Sequence, residues 1–134
     1  MDMDPSVLAR RFPARADQVA RARREGVAYA REHGAADPDG IAVAVSEAVT
    51  NAVVHAYIDA PVPGEVEVIA KRHPDNGLEI HVCDDGRGMM PRRDSPGLGV
   101  GLPLVAKLAE RFKVETRPGG GTAISMVFAV QDQA

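Results

Sequence analysis

The sequence predicts an α+β fold: a two-layer sandwich, with about three helices on one face of a single, mostly antiparallel sheet. Three observations predict it. Ile41 to Tyr57, IAVAVSEAVTNAVVHAY, reads as one nearly all-apolar helix. Glu65 to His73 and Leu78 to Cys83 each alternate apolar and polar residues around Pro74-Asp75-Asn76-Gly77, the signature of an antiparallel hairpin. Thr122 to Val130 alternates again after a short strand and a glycine-rich turn.

In chain order, Val7 to Phe12 is a short strand ending at Pro13. Ala16 to Glu32 follows as a helix, with Val19, Ala22, Gly26, Val27 and Ala30 on one face and Arg21, Arg24, Glu25 and Arg31 on the other. His33-Gly34 ends it, and Asp37-Pro38 supplies a cap and a first-turn proline for the central helix. Asp59 to Gly64 is a loop. In the hairpin, Val66, Val68 and Ala70 share one side of the first strand and Leu78, Ile80 and Val82 share one side of the second, while Ile69 interrupts the polar side. Met90 to Pro96 is polar. Leu102 to Arg111 is a helix that tolerates Pro103 in its first turn. Phe112 to Thr116 is a strand and Arg117 to Gly121 a turn. In the final strand Thr122, Ile124, Met126, Phe128 and Val130 share a face. The second face of the sheet is expected to be polar or covered by a partner.

A chain of 134 residues fits one domain, residues 1–134, around one core. Net charge is −3 with no long basic tract, which argues against a nucleic-acid surface. The single Cys83 excludes an internal disulfide and fits a reducing compartment. The acidic start MDMDPS lacks a signal-peptide core, and no run is long and apolar enough to span a bilayer. A cytoplasmic location with no membrane contact is expected.

Glu47 is the only charged residue between Ile41 and Ala56, and Asn51 and His55 follow it at helical steps of four. These three form a polar stripe apart from the apolar stripe of Ile41, Val45, Ala48, Val49, Ala52 and Ala56. One reading is the solvated face of an amphipathic helix. The other is the floor of a polar cavity, because Val43, Ala44, Thr50 and Val54 flank the stripe and no Lys or Arg does. There is no P-loop motif, and Gly97-Leu98-Gly99-Val100-Gly101 lacks the preceding strand of a dinucleotide fold. No His/Cys spacing suits zinc, and no Ser-His-Asp or Cys-His set is readable. Glycines ahead of a helix nonetheless suit a phosphate, since backbone N–H groups can approach it closely.

Four motifs occur in order: E-A-V-x-N-A-x-x-H-A from Glu47 to Ala56, D-D-G-R-G-M from Asp84 to Met89, G-L-G-V-G-L from Gly97 to Leu102, and G-G-G-T from Gly119 to Thr122. The chain resembles the GHKL ATPases of the Bergerat fold, and within them the bacterial anti-sigma-factor serine/threonine kinases. The resemblance covers essentially the whole chain. It implies ATP and Mg2+ as cofactors, with Asn51 as the Mg2+ ligand and Glu47 as the base that deprotonates an attacking hydroxyl. It implies that Asp84 accepts a hydrogen bond from the adenine amino group, supported by Thr122, with Gly88 letting the base lie close. Gly97, Gly99 and Gly101 would wrap the phosphates; Gly86, Val100 and Leu102 complete the nucleotide-binding set. His55 and Arg87 carry no assigned role. The segment Met90 to Pro96 would order on nucleotide binding. The implied partners are a STAS-type anti-anti-sigma protein and a sigma factor, and homodimers are common in that branch. Transducer, sensor and dimerisation segments of gyrase-like and sensor-kinase proteins find no counterpart in the pattern. The alternative is a catalytically silent ATP-binding module that works by partner switching alone.

Overall fold

The computed structural model describes residues 6–57, 64–86 and 101–131. Five strands form one antiparallel sheet: β1 (Leu8–Pro13), β2 (Glu65–His73), β3 (Gly77–Asp84), β4 (Arg111–Thr116) and β5 (Thr122–Ala129), in the order β1-β2-β3-β5-β4. Three α-helices pack together: α1 (Val19–Glu32), α2 (Pro38–Asn51) and α3 (Gly101–Leu108), with α2 between the other two. The α+β sandwich is as the sequence predicts.

Period-two alternation puts Val66, Val68 and Ala70 of β2, Leu78, Ile80 and Val82 of β3, and Ile124, Met126 and Phe128 of β5 into the core. They meet Ala22, Tyr29 and Ala30 of α1, Ile41, Ala44, Val45, Ala48 and Val49 of α2, and Val105 of α3. Tyr29, not the expected Val27, completes the buried face of α1. Val130 lies past β5, in an isolated bridge to Ala35.

Local signals act as expected at the ends. The Asp37 carboxylate accepts from Gly40 N–H at 3.0 Å, with Pro38 as the first residue of α2. The carbonyl of Ala30 accepts from Ala35 N–H past the end of α1. In the hairpin Asn76 sits at φ 65°, the left-handed region that Asn tolerates better than most residues.

Three expectations are corrected. The central helix does not stay α-helical to Tyr57: it ends at Asn51 and continues as a π-helical turn, Ala52–Ala56. A step of four no longer returns to the same face there, so His55 leaves the line of Glu47 and Asn51. Nor is this helix buried all round, because Val43, Thr50 and Val54 are exposed. The third helix stops at Leu108 instead of Arg111. Glu110 N–H donates to Val127 O at 2.8 Å, which draws the chain into the sheet, and Arg111 begins β4.

The second face of the sheet is polar across β2, β3 and β4, through Glu67, Lys71, Glu79, His81, Lys113 and Glu115, while β5 adds Ser125 between Ala123 and Val127. His81 bridges Glu79 Oε2 at 2.7 Å and Ser125 Oγ at 2.9 Å, and Lys71 Nζ lies 3.4 Å from the same Glu79 oxygen. Burial raises the Glu79 carboxyl, but the hydrogen bond and charge of His81 and those of Lys71 outweigh it, leaving it below its usual 4.5. A carboxylate depressed in the fold adds stability above its unfolded value and loses it as pH falls through the folded one. Wild type should therefore lose its lead over Glu79→Gln in melting temperature below pH 4.5, a lead on the order of a few °C at pH 7. A lead that stays constant down to pH 3 would contradict this account.

Candidate nucleotide site

Buried polar groups are scarce in so small a core, since each must be satisfied or await a ligand. Among the described residues three polar or charged side chains are buried: Asn51, Asp84 and Thr122. They come from the end of α2, the end of β3 and the start of β5. Antiparallel pairing sets Asp84 directly opposite Thr122. All three are residues that the motifs single out.

Asp84 ends β3, where the chain leaves the sheet. Its Oδ1 accepts from Gly86 N–H at 3.0 Å. Burial pushes its carboxyl above the ordinary 3.8; the N–H groups of Gly86 and Thr122 and the Arg117 guanidinium pull it back, and Asp85 adds to the rise. A carboxylate offers about four acceptor positions, so two backbone donors leave capacity for a ligand's N–H.

The loop after Asp84 is held from several sides. The π-helical turn brings the Ala56 carbonyl against Gly86, where a Cβ would lie 2.1 Å from that oxygen. This close approach explains the glycine of D-x-G. Tyr57, just past the turn, donates its hydroxyl to Glu65 O at 2.7 Å and accepts from Asp85 N–H at 3.1 Å. From the opposite side Arg117 Nη1 reaches Asp84 O at 3.1 Å and Asp85 Oδ1 at 2.8 Å. The motifs pass over both Tyr57 and Arg117. The only signal in the sequence is position: Tyr57 directly follows the helix motif, and Arg117 opens the turn before Thr122.

Asn51 sits one helical turn after Glu47. Its amide nitrogen is buried without a hydrogen-bond partner. A buried amide without a partner is a group that a ligand can complete. Its oxygen is a hard neutral donor of the kind Mg2+ accepts, and Mg2+ takes few protein ligands beside phosphate and water. Among the described residues no group of three or more His, Cys, Asp or Glu side chains could hold a metal by itself. Glu47 is half-buried on α2, and His55 is half-buried within the π-helical turn. Gly101 opens α3, and Leu102 packs against the core. Arg87, Gly88, Met90 to Pro96, Gly97, Gly99 and Val100 lie outside the described residues.

A family model described as a histidine kinase-like ATPase domain matches residues 12–128. The chain belongs to the histidine kinase-like ATPase family. Among relatives of this ATPase-family chain, an anti-sigma F factor of Clostridium acetobutylicum is 36% identical over 99 residues, covering 66% of this chain and 67% of that protein. One of Caldanaerobacter subterraneus subsp. tengcongensis is 33% identical over 99 residues, covering 64% and 66%. The chain thus spans about two thirds of the length of these curated relatives. The structure of the RsbU and RsbW domains of a Mycobacterium tuberculosis protein matches with a TM-score of 0.72 at 24% identity, over 96% of this chain and 33% of that one. That likeness bears on the fold. Among the described residues, no helix of this ATPase-family chain is long and apolar enough to cross a membrane.

Proposed function

We propose that the chain is an anti-sigma-factor serine/threonine kinase. It binds Mg-ATP, transfers the γ-phosphoryl group to a Ser or Thr of a STAS-type anti-anti-sigma partner, and so governs how much sigma factor is free. The observation that carries the reading is the coincidence of buried polarity with motif: among the described residues Asn51, Asp84 and Thr122 are the buried polar set, and Glu47 lies one turn from Asn51. The relatives named anti-sigma F factor support the same class.

In this reading Asp84 accepts from the adenine amino group, and the glycine segment from Gly97 to Gly101, with Gly88, encloses the nucleotide. Asn51 holds Mg2+, which neutralises phosphate charge when bound. Glu47 takes the proton as the partner's hydroxyl oxygen bonds to the γ-phosphorus and the bond from that phosphorus to the β–γ bridging oxygen breaks, releasing ADP. Positioning and charge supply most of such catalysis. The phosphate adds roughly −1.5 to −2 charge to the partner and disfavours redocking through repulsion. The site then acts on transcription through protein partners, without touching DNA.

The test is calorimetric titration of Mg-ATP, followed by transfer of labelled γ-phosphate to a panel of STAS proteins. Glu47→Gln should bind Mg-ATP about as well as wild type yet transfer about 10²–10⁴-fold more slowly. Transfer at the wild-type rate would remove Glu47 from the base role. Tight Mg-ATP and partner binding with no transfer by wild type would establish the silent partner-switching module instead.

A further inference from the structure

Arg117 belongs to none of the four motifs, yet it touches the one carboxylate loop on which base recognition would rest. It stands between β4 and the turn into β5. The turn is closed by Gly120 N–H to Arg117 O and Arg117 N–H to Gly121 O, both at 3.0 Å. Gly119, Gly120 and Gly121 all lie at positive φ, a path that side chains would resist. The fold-back lays the Arg117 side chain across the end of β3. There a single nitrogen, Nη1, donates both to Asp84 O and to Asp85 Oδ1.

We propose that Arg117 is a positioning residue for base selection: its paired bonds to Asp84 O and Asp85 Oδ1 fix the angle at which the Asp84 carboxylate meets an adenine amino group. This rests on Asp84 as the adenine acceptor. The geometry supports it in two ways. Asp85 is gripped at both ends, its N–H by Tyr57 and its carboxylate by Arg117, so the peptide joining Asp84 to Asp85 has little freedom to turn. Asp85 is otherwise well exposed, so without Arg117 its side chain would swing into solvent. The guanidinium also offsets the charge that burial makes costly on Asp84. A neutral acid would present a donor where adenine brings its own.

Because one nitrogen makes both contacts, an ammonium group can replace it and a neutral amide replaces it poorly. The experiment measures Kd for Mg-ATP and Mg-GTP on the full chain as wild type, Arg117→Gln, Arg117→Lys and Asp84→Asn, with apo melting temperatures alongside. Arg117→Gln should weaken Mg-ATP about tenfold and narrow the ATP-to-GTP preference by a similar factor. Arg117→Lys should restore most of both. A residue that merely held the fold together would lower the melting temperature and weaken both nucleotides equally, and that result would overturn the proposal. So would an Arg117→Gln that matches wild type while Asp84→Asn fails to bind. A wild type that ignores Mg-ATP, or an Asp84→Asn that binds it as wild type does, overturns the adenine reading itself and the role of Arg117 with it.

Discussion

Without nucleotide, Asp84→Asn will melt at a higher temperature than wild type at pH 7, and it will have lost its affinity for Mg-ATP. Asp84 is 5% exposed, and its carboxyl is raised above the ordinary value, burial being the largest cause. An acid whose folded value is raised binds its proton more tightly in the fold than in the open chain. Folding is therefore penalised once the pH rises above the unfolded value of about 3.8, and the penalty is absent below it. Asn keeps an oxygen for the Gly86 N–H and carries no charge, so the burial penalty disappears, while the weakened bond from the Thr122 N–H offsets part of the gain. A gain on the order of a few °C is expected, of the kind often seen when a functional carboxylate is neutralised. In the proposed adenine-binding role of Asp84, the same amide would turn an N–H donor toward the adenine amino group, where an acceptor is needed. Affinity should fall by about 10²-fold or more. Scanning fluorimetry from pH 3.5 to 8, with and without Mg-ATP, checks both halves. The thermal gain should shrink as the pH nears 3.8. A variant that is less stable than wild type yet retains Mg-ATP affinity would refute the account.

Gly121→Ala should be the most damaging single methyl group in the described chain. Gly121 lies at φ +95°, and an added Cβ would stand 2.0 Å from Asp84 O and 2.9 Å from the Asp85 Cα. Both neighbours are backbone of the strand end that carries the site, so neither can rotate away. Strain at positive φ costs about 1–3 kcal/mol by itself, and the overlap adds the work of prising β5 from β3 beside Asp84 and Thr122. A total loss above about 3 kcal/mol is expected. The same turn provides the control. Gly119 has φ +83°, but nothing lies within 4 Å of its Cβ position. Gly119→Ala should show the strain alone, about 1–2 kcal/mol, with Mg-ATP affinity kept. Urea melts of both variants, combined with calorimetry, separate the two contributions. Equal losses in the two variants would mean that the contact with Asp84 carries no weight.

Much of the fold and of the candidate site is legible in the amino-acid sequence, because the informative residues contrast with their surroundings. Asn51 stands in an apolar helix, Asp84 closes an apolar alternating strand and Thr122 opens another, so their polarity has to be placed inside. The strands are legible because a period of two assigns every side chain to a face. The π-helical turn is not legible, because Ala-Val-Val-His-Ala fits i→i+4 and i→i+5 bonding equally well. The end of α3 is hidden because the bond that ends it reaches across to Val127. Arg117 and Asp85 lie 32 residues apart, a separation at which no local spacing rule operates. The partner of a surface charge is chosen by topology, which a linear pattern does not carry.

The strand order carries a consequence for how the domain is made. β5 comes after β4 in the sequence, yet it lies between β3 and β4. During synthesis, helix α2 with Asn51 and strand β3 with Asp84 emerge first, then β4, which has no neighbour to pair with until β5 arrives. Thr122 is the first residue of the strand that fills the gap. A ligand held jointly by Asn51, Asp84 and Thr122 can engage only a chain whose sheet has closed. At a concentration of 100 times its Kd such a ligand would favour that closed state by about 2.7 kcal/mol. Nucleotide supply would then bear on how many newly made chains complete their fold, before any partner protein is met.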